Sequence, residues 1–359
     1  MKRCTVLKAI LSVCLILGSL FLLQRLVMPK YVRGIVEGSL VESYYEETTP
    51  HDVIFIGDCE VYECFSPVTL WNEYGIPSFI RGSAQQLIWQ SYYLLEDTLA
   101  TEKPDVVIFN VLALKYNEPQ KEAYNRLTLD GMRWSRTKLE AIRASMMPDE
   151  KLIDYLVPLF RYHARWSELT WDDVRYLFGK KPLFHNGYYM RVDVRPVTTV
   201  PEGKKLPDYR FGDDAMAYMD KITALCEEND IELMLIKAPS IYPTWYPEWE
   251  EQVEDYARQH GLVYLNFLEH QEETGIDYST DTYDTGLHMN LSGAEKLSRF
   301  IGPILRDTYA LPDRRCDPEL SRVWAGKTAF YEQMKADQLS ELEQYGYLKS
   351  LGARPPEQP

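Results

Sequence analysis

The residues that could do chemistry together lie in two short polar segments far apart in the chain. Cys59 stands in the first, and His288 stands in the second, four positions after Asp284. A histidine that takes the proton of a thiol makes it an acyl nucleophile, and an aspartate fixes the tautomer of that histidine. These residue types predict acyl transfer, with Cys59 as nucleophile, His288 as general base and Asp284 as its orienting partner. Asp281, in the same segment, is the other candidate for that last role.

Cys59 follows a segment with the pattern of a buried strand. Residues 53–56 are apolar and mostly β-branched, which is typical of a parallel strand covered on both faces. Gly57 ends this run, and the Ser-Pro pair at 66–67 marks the start of a helix. Ligands of open α/β sheets bind beyond the carboxyl ends of strands, and amide dipoles at a helix N-terminus favour a thiolate. The sequence therefore predicts that Cys59 lies at a ligand site and ionises readily.

The rest of the chain alternates between strand-like and helix-like patterns. Five short apolar segments have strand character, at residues 53–56, 78–80, 105–112, 231–237 and 262–267. Helical spacing of apolar residues fills most of the sequence between them. We predict an α/β fold, a three-layer sandwich with a mostly parallel five-stranded sheet.

Residues 117–212 interrupt this alternation and are predicted to form a helical insertion. It combines helical patterns at 136–146, 150–160 and 171–178 with an irregular stretch that contains several prolines. Such a block could cover the substrate as a lid above the sheet edge. Extra helices that cover one flank of the sheet are an equally compatible interpretation. For the lid, three side chains are candidate substrate contacts: Arg161, His163 and Arg165.

The N-terminal residues 1–30 have the composition of a membrane anchor. Three basic residues precede an apolar run over residues 9–28 that is broken only by Gln24 and Arg25, and no small-residue cleavage site follows. The length matches a bilayer span, and the missing cleavage site favours a retained signal anchor over a removed signal peptide. Because basic residues keep their end of a span in the cytoplasm, we expect a single-pass protein of the cell membrane whose body is extracytoplasmic.

The predicted α/β domain covers residues 51–312, after a polar connector at residues 31–50. Residues 313–359 are predicted to form a charged helical extension that packs on the domain or on a partner. Its last residues, 352–359, are rich in proline and are expected to be disordered.

Charge and cysteine content narrow the range of functions. Beyond residue 30 the chain has 34 basic and 54 acidic side chains, a net charge of −20, which argues against non-specific binding of nucleic acid. No phosphate-binding glycine loop and no paired-cysteine zinc motif is present, so we expect no cofactor and no metal. Two of the six cysteines belong to the anchor region, and a structural disulfide between Cys59 and Cys64 remains an alternative to catalysis.

Together these segments resemble the SGNH, or GDSL-type, hydrolase superfamily, over about residues 51–116 and 213–308. The sequence Gly57-Asp58-Cys59 is similar to its first block, with cysteine where the family has its nucleophilic serine, and Gly82 looks like its oxyanion-hole glycine. The segment from Asp284 to His288, followed by Asn290 and Gly293, resembles its last block, although the family spaces its aspartate and histidine by three positions rather than four.

The resemblance implies a flavodoxin-like sheet and an acyl-ester hydrolase or O-acyltransferase. It is closest to membrane-anchored members that act on acylated glycans or other cell-envelope polymers. It implies that the amides of Cys59 and Gly82, together with Asn110, bind the oxyanion, and that Asp58 belongs to the same block. The alternative is a catalytically inactive module that binds glycan or docks on a membrane acyltransferase.

Overall fold

The computed structural model describes residues 2–29, 37–178 and 186–351. Within these residues, five strands form one sheet in the order β2-β1-β3-β4-β5, and every neighbouring pair is parallel. The strands are β1 (Val53–Gly57), β2 (Ser78–Gly82), β3 (Val106–Asn110), β4 (Glu232–Lys237) and β5 (Val263–Asn266). The predicted α/β class and five-stranded parallel sheet are confirmed.

Helices cover both faces of the sheet. The first half of the chain contains α1 (Lys2–Val27), α2 (Glu37–Ser43), α3 (Cys59–Tyr62), α4 (Pro67–Tyr74), α5 (Ile88–Leu99), α6 (Glu122–Leu129), α7 (Arg136–Ser145), α8 (Leu152–Leu156), α9 (Leu159–Tyr162) and α10 (Trp171–Phe178). The second half contains α11 (Asp213–Glu228), α12 (Pro247–His260), α13 (Gln271–Thr274), α14 (Leu291–Tyr309) and α15 (Pro318–Tyr345).

Alternate side chains of each strand enter two separate cores. On β1, Val53 and Phe55 face a core built with α4, α14 and α15, whereas Ile54 and Ile56 face a core built with α5, α11 and α12. All five residues of β1 are buried, because helices lie on both sides. This explains why the strand is uniformly apolar rather than alternating, and it gives the three layers.

Several helices differ from the sequence prediction for local reasons. The pattern at residues 150–160 is split into α8 and α9 because Pro158, which has no amide hydrogen, forces Val157 out of the helical region. Part of the predicted connector is α2, which is held in place by the buried side chains of Leu40 and Val41. The end at 352–359, predicted to be disordered, lies outside the described residues.

The helix α1 projects from the body over most of its length. Residues Thr5–Val27 form the one helix in the described part of the chain that is long and apolar enough to cross a membrane. Side chains from Val6 to Leu22 are exposed, whereas Val27 is fully buried against the body. Only the last turns of α1 therefore belong to the packed structure.

The chain reverses direction across the sheet between β1 and β3. From β1 it moves outward to β2, and then returns to β3 on the other side of β1 before continuing to β4 and β5. Ligands of such sheets bind in the crevice that opens at this switch point, beyond the carboxyl ends of the strands. Cys59 follows β1 directly, and Asn110 ends β3.

Candidate active site

A tight turn brings Cys59 to the sheet edge. A Cβ atom on Gly57 would lie 2.4 Å from Val61 Cγ2 and 2.9 Å from Asn110 Cβ, so the close packing of the turn requires glycine. Asp58 caps α3, since its carboxylate accepts the amide hydrogen of Glu60 at 3.2 Å. Cys59 is the first residue of α3 and is half-buried. The Gly-Asp-Cys sequence thus builds a strand-to-helix turn that presents the thiol.

The second segment folds into a loop that holds Asp284 against His288. Asp284 Oδ1 accepts the backbone amide of His288 at 2.8 Å, and Oδ2 lies 2.6 Å from the ring Nδ1. Thr285 and Gly286 have φ angles of 69° and 96°, so the chain turns sharply between the two. These two left-handed residues turn the chain back so that Asp284 reaches the ring of the residue four positions later.

The neighbouring aspartate has a different partner. Asp281 is buried, pairs with Lys296 Nζ at 2.6 Å and accepts the backbone amide of Asp277 at 2.7 Å. Of the two candidate partners, the structure therefore places Asp284 beside His288. Asp281 stabilises the connection into α14.

The contact with Asp284 leaves the other ring nitrogen of His288 available. Nε2 is buried and has no well-aligned hydrogen-bond partner among the described residues. The side chains of Cys59 and His288 are nevertheless close enough to interact. The ring lowers the pKa of the thiol, and the interaction raises the pKa of the imidazole. The structure thus brings together the three residues Cys59, His288 and Asp284 from two remote segments. Cys59 and Cys64 are both free thiols, not a disulfide.

The electrostatic environment differs from the expectation that Cys59 ionises readily. Burial raises the pKa of the Cys59 thiol to about 11, and the negative charge of Asp58 adds to this effect, although His288 opposes it. The cost of burying a thiolate exceeds the contribution of nearby amide dipoles and of the histidine. At neutral pH the resting thiol is protonated, so attack on an acyl carbon requires a base.

A second carboxylate, which the sequence did not indicate, lies next to His288. Glu63 Oε2 is 3.5 Å from His288 Nδ1 and accepts a short hydrogen bond from the hydroxyl of Tyr283. Burial raises the pKa of Glu63 to about 6. Burial lowers the pKa of His288, but the charge of Glu63 and the hydrogen bond with Asp284 outweigh this and hold it well above the usual value.

A buried charged cluster lies beneath the turn. Lys237 Nζ contacts both carboxylate oxygens of Glu60 at 3.0 Å, and both side chains are fully buried. Asn110 Nδ2 donates to Glu60 at 3.0 Å and to Asp58 at 3.2 Å, while its oxygen accepts the amide of Ala238. The donor hydrogens of Asn110 are therefore directed at carboxylates. Asn110 could donate a hydrogen bond to an oxyanion only if its hydrogen bond to Asp58 or to Glu60 broke.

Gly82 lies beside the turn that presents Cys59. It ends β2 in register with Gly57 of β1, and a Cβ atom would lie 3.0 Å from the Gly57 carbonyl oxygen and 3.2 Å from the ring of Tyr62. Glycine thus lets α3 pack directly on the end of β2. Its predicted role as an oxyanion donor stays a prediction.

The three candidate contacts from the insertion lie near the end of α1. Arg161 pairs with Glu122 at 2.7 Å, and His163 Nδ1 contacts the Phe160 carbonyl at 2.8 Å. Arg165 donates to the carbonyl oxygen of Val27, the last residue of α1, at 2.5 Å. Among the described residues, these contacts join the insertion to itself and to α1. They do not connect it to Cys59 or His288.

Comparison with known proteins adds little to this geometry. No protein-family model and no curated protein matches the chain. A solved structure of a "putative acylhydrolase" from Bacteroides fragilis aligns over 75% of this chain and 95% of its own, with 11% sequence identity and a TM-score of 0.36. A TM-score this low gives no support to a shared activity.

Proposed function

We propose that the chain is an acyl-ester hydrolase or O-acyltransferase that works through Cys59, His288 and Asp284. The observation that supports it most directly is the 2.6 Å contact of Asp284 with His288 Nδ1, while Nε2 has no hydrogen-bond partner among the described residues and the ring interacts with Cys59. The three groups meet at the switch point of a parallel sheet, where such folds bind ligands.

The residues divide the reaction into two steps. His288 Nε2 takes the thiol proton as Cys59 Sγ bonds to the carbonyl carbon of the ester, and the proton passes to the departing alkoxide as the C–O bond breaks. The product is a thioester on Cys59 and a free alcohol. Water or a hydroxyl acceptor then attacks the thioester carbon while His288 takes its proton. The C–S bond breaks, the acid or new ester is released, and the imidazolium returns the proton to the Cys59 sulfur. Asp284 holds the ring in the required tautomer and stabilises its cation.

An acylated glycan or another cell-envelope polymer is the proposed substrate. Support comes from α1, whose length and composition suit a membrane anchor, and from the basic residues at the N-terminus, which favour an extracytoplasmic body. The likeness to membrane-anchored SGNH-type enzymes points in the same direction.

A second candidate, an inactive module that binds glycan or docks on a membrane acyltransferase, is favoured by one observation. Burial raises the pKa of Cys59 to about 11, and the surrounding charges keep the pKa of His288 well above its usual value. A protonated thiol needs a neutral imidazole to take its proton, and the raised pKa of His288 opposes this. The two candidates differ in whether the site turns over an ester at any pH.

The test uses the full chain in lipid nanodiscs, with a panel of p-nitrophenyl esters between pH 7 and 10. Samples quenched in acid are analysed by peptide mass spectrometry for an acyl group on Cys59. We expect turnover and an acyl-Cys59 adduct in the wild type, and neither in Cys59→Ala. Cys226→Ala, which removes a buried thiol from the other core, is the matched control and should behave as the wild type. Equal turnover by wild type and Cys59→Ala would refute the proposed enzyme. If the wild type shows neither turnover nor the adduct at any pH, the result would refute the enzyme and favour the inactive binding module.

A further inference from the structure

The end of α1 is built into the insertion. The last turns of α1 pack against α9, α10 and the 3-10 turn His163–Glu168. Arg165 of that turn donates to the Val27 carbonyl and also lies 3.4 Å from the buried carboxylate of Asp173 in α10. Arg25 lies near Glu42 of α2, at 3.9 Å. The insertion therefore has a defined position relative to the helix that is suited to cross a membrane.

The length of α1 determines where this contact lies. The 23 residues of Thr5–Val27 are apolar enough to cross a membrane, and at about 1.5 Å per residue they match a hydrocarbon core of about 30 Å. Because only the last turns are packed on the body, the contact falls at the boundary between lipid and water. Segments that pack on those turns are brought to the same boundary.

These segments, together with α8, which packs on α9, carry large apolar side chains on their surface. Outside α1, most of the exposed large hydrophobic residues in the described part of the chain fall between residues 134 and 178. Trp171 is 76% exposed and Phe178 is 87% exposed, and they lie seven positions apart, on one face of α10. Four further exposed apolar residues lie on α8, α9 and the adjoining 3-10 turn: Ile153, Leu156, Phe160 and Trp166.

We propose that these residues form a lipid-docking face that rests in the interfacial layer of the bilayer that α1 crosses. Six exposed apolar side chains on segments grouped around the end of α1 are unfavourable in water, and tryptophan is enriched at membrane interfaces. The occupant is the lipid surface itself, because the packed end of α1 already brings the face to it. Docking would hold the body at a fixed tilt instead of leaving it tethered by one helix. This inference requires α1 to span the membrane, but it does not require Cys59 to be catalytic.

Tryptophan fluorescence provides a direct test, because α1 contains no tryptophan. The full chain is reconstituted in phosphatidylcholine vesicles whose acyl chains are brominated either at carbons 6 and 7 or at carbons 11 and 12. We expect partial quenching of the wild type, stronger with the shallow bromines than with the deep ones. Trp166→Phe/Trp171→Phe should lose most of the quenched emission, whereas Trp245→Phe, in the loop before α12, should retain it.

Two results would overturn the proposal. In the first, brominated lipid leaves wild-type emission unchanged, as it would if water or a second copy of the chain covered the face. In the second, the Trp166→Phe/Trp171→Phe variant is quenched as strongly as the wild type, which would place other tryptophans in lipid. Both substituted side chains are more than half exposed, so the variant is expected to fold, and the wild-type measurement is decisive by itself. Neither result depends on ester turnover.

Discussion

Glu63 Oε2 lies 3.5 Å from His288 Nδ1, the same ring nitrogen that Asp284 contacts at 2.6 Å. The imidazole thus has two acidic neighbours at one nitrogen, and it also interacts with the Cys59 thiol. Both carboxylates favour the charged ring, and Asp284 alone satisfies the geometry of an orienting partner. Glu63 contributes charge, so replacing Glu63 changes the pKa of His288 while the histidine itself stays in place.

The first prediction concerns this second carboxylate. Glu63→Gln removes the largest contribution that raises the pKa of His288, and it also removes a charge that raises the pKa of Cys59. Because a lower pKa frees the base at lower pH, the rising limb of kcat/KM should move to lower pH. The measurement is a pH profile of ester turnover. Glu73→Gln, at an exposed ion pair with Arg299, is the control and should leave the limb in place. An unchanged limb in Glu63→Gln, or one moved to higher pH, would contradict the role given to Glu63.

The second prediction separates the two aspartates of the loop. Asp284→Asn should lower kcat by about 10²–10⁴-fold, because the amide favours the wrong tautomer of His288. Asp281→Asn should instead weaken the ion pair with Lys296 and reduce thermal stability, with a much smaller effect on kcat. Turnover and thermal unfolding of both variants check this. The assignment fails if Asp281→Asn is the more damaging to kcat.

The third prediction concerns the protonation of Cys59. Since burial raises its pKa to about 11, alkylation by iodoacetamide should be slow at pH 7 and rise about tenfold per pH unit without a plateau below pH 10. Labelling is followed residue by residue with mass spectrometry. Cys316, which is exposed, provides an internal reference that labels at all these pH values. A plateau near neutral pH at Cys59 would instead indicate a resting thiolate.

The sequence predicts the sheet well because each strand is a short apolar segment that needs no distant information to identify it. The approach of Cys59 to His288 follows from topology, since loops after parallel strands share one edge. Glu63 was missed because its position depends on the direction in which the single turn α3 leaves the sheet, which the sequence pattern does not specify. The hydrogen bonds of Asn110 with Asp58 and Glu60 depend in the same way on side chains from the ends of two strands, β1 and β3, that meet only in the fold.

The last prediction concerns the fully buried pair of Glu60 and Lys237, which supports the turn that carries Cys59. Lys237→Met leaves the Glu60 carboxylate buried without its cation, so we expect the free energy of unfolding to fall by about 3–5 kcal/mol. Removing both charges in Glu60→Leu/Lys237→Met should restore much of this loss, because the cost of burying an unpaired charge disappears. Denaturant unfolding of the full chain in detergent micelles measures both variants. If the double variant is no more stable than Lys237→Met, the loss arises from packing around Lys237 and not from an unpaired charge.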